Sequence, residues 1–220
     1  MQPSTLARLF PLAGRAAAAL FAFLFTVNVS AQDMSIEGKY EKISAPQATT
    51  DPDKVEVVEV FWYGCPHCNA FQPHLHPWVD QLADDVAFVR MPAIFRDSWE
   101  PHARAYYSAN ALNALDQTHT QIFDAIHRKG RALTSKKSIR AFFAEQGVAE
   151  DEFEKYYDSF GVDSEIRRSK VMVARYGIRG VPAVIVNGKY RVSASMAGGY
   201  GNMLKVVDAL IEIERNATKK

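Results

Sequence analysis

Cysteine is nearly absent from this chain: there are two in 220 residues, at positions 65 and 68. A framework of structural disulfides is thereby excluded. A single staple closing so short a loop, the bland reading of the pair, would constrain the unfolded chain little. A second cysteine pair is missing, and the histidines at 67, 74, 76, 102, 119 and 127 offer no convincing partners for zinc, which needs about four ligands. Covalent haem attachment wants a histidine directly after the second cysteine, where this chain has Asn69. Long apolar runs are lacking too. The apolar run near the start, 16–29, has 14 residues, against roughly 20 for a comfortable membrane span. Nor is there an excess of charge, with 26 Lys and Arg against 25 Asp and Glu, which argues against a nucleic-acid partner.

What the first residues do contain is a leader pattern. Arg8 and Arg15 precede the apolar run, and the small residues Val29-Ser30-Ala31 follow it. The pattern predicts a secretory signal over 1–31, cleaved after about Ala31, with an uncleaved anchor as the alternative. No cysteine stands at the cleavage site to carry a lipid, so the expected destination is an oxidising compartment, most simply a bacterial periplasm. Removing two arginines with the leader leaves 24 basic against 25 acidic residues. The remaining length suits one domain with a good core, or a small domain carrying an insertion.

The chain is organised around Val57-Val58-Glu59-Val60-Phe61-Trp62-Tyr63-Gly64-Cys65-Pro66-His67-Cys68. A Val- and aromatic-rich run ended by glycine reads as a strand buried on both faces. Cys65 then falls at or near a helix N-cap, with Pro66 in the first helical position, where its missing N–H costs nothing. First-turn N–H groups and the helix dipole favour a thiolate there, the species that attacks disulfides and leaves when one breaks. His67 can add a donor or positive charge. Cys68, one turn on and facing inward, can resolve a mixed disulfide.

Either side of this stretch the expected elements are a short strand within 36–43, a proline-containing loop 44–53, a helix from Cys65 toward Ala83 bent by Pro73 and Pro77, and a strand over 86–91. Helical periodicity follows over 101–115, 118–128, 135–146 and 151–160, with Asp151 and Glu154 in capping-box spacing. A connecting helix over 163–176, capped by Asp163 or Ser164 and stopped by Gly177, returns the chain to the sheet. Two strands around Asn187-Gly188 and a closing helix over 201–215 complete it. The expected organisation is therefore leader 1–31, first part 32–96, helical insertion 97–162, and second part 163–220.

Cys65-Pro66-His67-Cys68 after Glu59-Val60-Phe61-Trp62-Tyr63-Gly64, together with Gly180-Val181-Pro182 before a hairpin, resembles the DsbA family of periplasmic thiol:disulfide oxidoreductases. The resemblance implies an α/β thioredoxin-like fold, β-β-α-β then β-β-α, interrupted by an all-helical domain. It implies an oxidase that donates a Cys65–Cys68 disulfide to reduced, newly exported polypeptides and is reoxidised by a DsbB-like, quinone-linked membrane protein. On that match Cys65 is the exchange site, Cys68 the resolving thiol, Pro66 and His67 tune the thiolate, and Val181-Pro182 is a cis-proline loop offering backbone to an extended substrate. Glu59 matches the family's buried acid, a proton-transfer group for the resolving thiol; on the sequence alone a strand residue with a local partner is the more ordinary explanation. No metal and no cofactor beyond the disulfide is expected, and a monomer is.

Two other functions share much of this pattern. A disulfide isomerase or reductase would use the same residues but be kept reduced; a non-catalytic module would use the fold to hold peptides, a reading the cysteine pair argues against. A client groove from Trp62, Tyr63, Pro182 and Phe95 is explained about as well by core packing. The insert residues His102, Tyr106, Tyr107, His119 and His127 read as solvated helix faces.

Overall fold

Every residue from Val55 to Phe61 is buried, and this strand is the axis of a five-stranded mixed sheet. The computed structural model describes residues 35–218, so the leader over 1–31 lies outside them. In chain order the elements are β1 (Glu41–Lys42), β2 (Val55–Phe61), α1 (Pro66–Val79), β3 (Val86–Pro92), a 3-10 turn (Asp97–Trp99), α2 (Glu100–Ala111), α3 (Leu115–His127), α4 (Lys136–Glu145), α5 (Glu150–Tyr157), α6 (Phe160–Arg175), β4 (Ala183–Val186), β5 (Tyr190–Ser193), α7 (Ala194–Ala197) and α8 (Tyr200–Thr218). Strand order is β1-β5-β4-β2-β3, with β2 and β3 parallel across α1 and the other pairs antiparallel. Asn187 and Gly188 both take positive φ, 49° and 63°, as the tight hairpin between β4 and β5 requires.

Several boundaries differ from expectation for identifiable reasons. The strand expected within 36–43 shrinks to two residues, because 36–39 close a turn, with the Lys39 N–H on the Ile36 carbonyl at 3.0 Å and Gly38 at a φ of 74°. Helix α6 starts at Phe160, not at Asp163: the Ser159 hydroxyl accepts from the Val162 N–H at 3.2 Å and caps it three residues early. Asp163 instead takes Arg104 Nη2 at 2.7 Å. Helix α5 begins after Ala149 without a side-chain cap, so the Asp151–Glu154 spacing is not used. The short α7 was not anticipated. Ser135 does cap α4, reciprocally with Ser138.

The insert histidines and tyrosines correct the sequence reading most. His102, Tyr106, Tyr107 and His119 are buried and His127 is half-buried, so these are not solvated faces. Tyr106 and Tyr107 share one core with Phe61, Tyr63, Cys68, Ile122, Phe123 and Phe143, which joins the helices to the end of β2, and the rings of His102, His119 and His127 pack against Tyr63 or Phe123 of it. Burial holds His119 well below the usual histidine range, helped by Arg90 and His76, and burial likewise lowers His102. Unfolding frees both rings to take protons below about pH 6.5, which the folded state resists. Stability is therefore expected to fall as pH drops through 6.5, by up to about 1.4 kcal/mol per pH unit per ring. Urea midpoints between pH 7 and 5 for the wild type and His119→Phe measure it, the variant showing the shallower slope.

Candidate active site

Between β2 and α1 the chain turns through Trp62-Tyr63-Gly64, and each residue is held from a different side. Trp62 lies flat on Trp99 of the 3-10 turn, ring centroids 3.9 Å apart and planes at 3°. That indole covers Gly64 so closely that any side chain there would strike it. Tyr63 is buried, its hydroxyl 2.8 Å from His119 Nδ1, while its carbonyl accepts from His127 Nε2 at 2.7 Å. The Cys65 N–H bonds the Trp62 carbonyl at 3.0 Å and closes the turn. Cys65 thus arrives as the N-cap of α1, in extended conformation, with Pro66 next.

Both cysteines are thiols, and their surroundings drive them apart. Cys65 is held down to about 6, first by the hydrogen bond it receives from the Cys68 thiol. Burial opposes this; the N–H groups of Cys68 and His67, in the first turn of the helix, and then the charge of exposed His67 reinforce it. Cys68 has no exposed surface, and burial, the bond it gives to Cys65 and that neighbour's charge push it far above the thiol range. The Val181–Pro182 bond is cis, and Cys65 Sγ lies 3.4 Å from the Val181 carbonyl oxygen. Pro66, His67, Cys65, Cys68, Val181 and Pro182 are therefore brought to one place.

Glu59 stands apart, in the middle of β2 with no exposed surface. Arg90, its register partner on parallel β3, donates Nε to Oε2 at 3.1 Å, and Gln72 Nε2 donates to Oε1 at 2.8 Å. Burial outweighs both and raises the carboxyl above its usual range. Beside the cysteines opens a cavity of 590 Å3 lined by His67, Val181, Pro182, Met196 and Tyr200 among others. Of the residues considered for a client groove, Pro182 lines it; Tyr63 is core, and Phe95 is tilted at 46° against Trp99 with ring centroids 5.1 Å apart. Among the described residues no cluster of ligands could hold a metal ion.

A dithiol at a helix start, one sulfur acidic and 8% exposed, the other silent and fully enclosed, has the arrangement for thiol–disulfide exchange. Residues 89–210 match the family described as DSBA-like thioredoxin domain. The chain is 41% identical over 204 residues to the thiol:disulfide interchange protein DsbA of Pseudomonas syringae pv. tomato, covering 92% of this chain and 95% of that one. The crystal structure of Pseudomonas aeruginosa DsbA superposes with a TM-score of 0.80 at 39% identity, over 84% of this chain and 96% of that one. An oxidoreductase DsbA structure from Xylella fastidiosa gives 0.76 at 32%, over 81% and 96%. This chain belongs to the DsbA-like family. It has the DsbA-like thioredoxin fold with its helical insertion and is a thiol:disulfide oxidoreductase. In the DsbA family the protein's own disulfide is the redox group.

Some residues that shape this DsbA-like site escaped the sequence reading. Arg90 was legible in principle, since parallel pairing of β2 with β3 puts it opposite Glu59. Gln72 lies seven positions beyond Cys65, two turns along the face of α1 that Cys68 also uses, and is buried. His119, His127 and Tyr200, whose hydroxyl donates to the His67 carbonyl at 3.0 Å, come from other elements with no local signal.

Proposed function

We propose that this protein oxidises pairs of cysteines in newly exported polypeptides by handing over its own Cys65–Cys68 disulfide. The observation that carries the reading is the placement of the pair: Cys65 at the N-cap of α1, 3.4 Å from the Val181 carbonyl and held down to about 6, and Cys68 one turn on with no exposed surface, pushed up first by burial. A client thiolate attacks Cys65 Sγ, the intramolecular S–S bond breaks, and Cys68 leaves and takes a proton. A second client thiolate then attacks the client sulfur of the mixed disulfide, forms the client's disulfide and expels Cys65. Two electrons and the client's thiol protons are transferred overall. The acidity of Cys65 favours that expulsion, because a low-pKa thiolate is the better leaving group. Pro66 and His67 tune it, Glu59 serves Cys68 as proton donor and acceptor, and the Val181-Pro182 loop offers its backbone to the extended client.

The same reading makes the insertion 97–162 a cover over the end of β2, the protein a periplasmic monomer freed of its leader after about Ala31, and a DsbB-like, quinone-linked membrane protein its oxidant. Cys68→Ala is expected to accumulate client-bound mixed disulfides, visible as alkylation-protected, reductant-sensitive bands absent from Cys65→Ser. The in vivo redox state is the deciding measurement. Acid-trapped exported protein should be mostly oxidised; a mostly reduced pair would replace the oxidase reading with the isomerase or reductase one.

A further inference from the structure

Gln72 uses only half of its amide. Nε2 lies 2.8 Å from Glu59 Oε1 and 3.4 Å from the Cys68 carbonyl oxygen. Both neighbours accept, so the NH2 end must face them and the orientation of the amide is fixed. Oε1 is left buried, with no donor among the protein groups around it. The residue also lines a cavity of 240 Å3 between α1 and α3, whose other walls include His76, Pro73, Phe123 and Asp124. A glutamine that served packing alone in this seam would be bettered by an apolar side chain of the same length, since a buried amide oxygen without a partner is destabilising.

We propose that Gln72 is a positioning residue for proton transfer at Cys68: its NH2 group holds the Glu59 carboxylate in its charged form, and its free carbonyl oxygen takes a water from the α1–α3 cavity. This rests on the proton-transfer role proposed for Glu59. When a mixed disulfide at Cys65 closes, the Cys68 S–H proton passes to the Glu59 carboxylate, Cys68 sulfur bonds Cys65 sulfur, and the partner sulfur leaves as thiolate. The carboxylate must be charged for that step. Its charge is set by burial and by the two groups hydrogen-bonded to it, Arg90 from β3 and Gln72 from α1, with apolar Val184 opposite on β4; the charge of the carboxylate is felt in turn by Cys68 on α1, Tyr63 beyond β2 and Tyr106 on α2. Gln72 is the one uncharged donor in that set within hydrogen-bond distance of the carboxylate. Its removal should leave Glu59 protonated to higher pH.

The closing step can be followed on the full chain by mixing reduced protein with excess oxidised glutathione and acid-trapping, then resolving mixed and intramolecular disulfides by mass. Gln72→Met is expected to move the pH midpoint of closing upward by about one unit and to slow it roughly tenfold at pH 6. The pH midpoint of Cys65 alkylation should stay where it is. In a Glu59→Gln background the same substitution should add less than about twofold, because it acts through the carboxylate. Gln72→Glu, which keeps the shape, should shift the midpoint in the same direction through like-charge repulsion, and substitutes for Gln72→Met if that variant does not fold. If Glu59→Gln alters closing and both Gln72 variants leave its pH profile unchanged, the Gln72 proposal is overturned and the Glu59 role stands. If Glu59→Gln itself changes nothing, both fall.

Discussion

Brief alkylation of the reduced protein at pH 7 is expected to label Cys65 and spare Cys68 by a factor of at least about a thousand. With its pKa near 6, Cys65 is about nine-tenths thiolate at that pH. Cys68 is held neutral by burial and by the hydrogen bond it donates, and presents no surface to the reagent. The labelling rate should rise with pH around a midpoint near 6. Because the Cys68 S–H is the leading cause of that low value, Cys68→Ala should carry the midpoint upward by more than removal of His67, whose charge contributes least among the causes. Mass mapping after timed quenching reads both effects. Comparable labelling of the two cysteines would overturn the division of roles.

The second large effect concerns which redox state is the more stable, and it changes with pH. Closing so short a loop should favour the oxidised protein by about 2 kcal/mol on chain-entropy grounds. Against it stands the folded-state thiolate. Cys65 titrates near 6 when folded and near 8.5 when unfolded, so between those values the unfolded chain binds the extra proton and reduced-state stability rises with pH. Discounted for solvent screening, the gain is about 1 kcal/mol at pH 7 and about 2–3 kcal/mol at pH 8.5. Cys68 works in the opposite sense, but only above about 8.5, where its unfolded thiol ionises and its folded one does not. Parallel denaturant titrations should therefore find the oxidised form the more stable at pH 5, near parity around pH 7.5, and the reduced form ahead at pH 8.5. A protein more stable reduced than oxidised passes its disulfide on, by the closed redox cycle. A gap that stays constant from pH 5 to 8.5 would remove the thiolate from the account; an oxidised form still ahead at 8.5 would favour the reductase reading.

The local parts of this site were legible and the assembled parts were not. Strand β2, the N-cap at Cys65 with Pro66 behind it, and the Asn187-Gly188 turn each depend on residues within a few positions, and each stands where the sequence put it. The helical character of the insert was equally plain. Its burial was not, because His102, Tyr106, Tyr107 and His119 each carry a polar group, and partners elsewhere take three of them: Ala132 for His102, Ser169 for Tyr107, Tyr63 for His119. The cause of Cys65's acidity was read only in part. Helix geometry supplies the N–H groups, but the leading contribution is the Cys68 thiol turned toward it, a side-chain orientation that spacing alone does not fix.

The groups that complete the site reach it from far along the chain: Val181, 116 residues after Cys65, and Tyr200, 133 after His67. A polypeptide is made from its N-terminus at about 5–20 residues per second, so on the order of ten seconds separate the emergence of the cysteines from that of Val181. During that interval the two thiols exist without the loop that later stands against Cys65. A chain with more cysteines would be exposed to wrong pairings in that window. This one offers the pair no partner in the chain but itself.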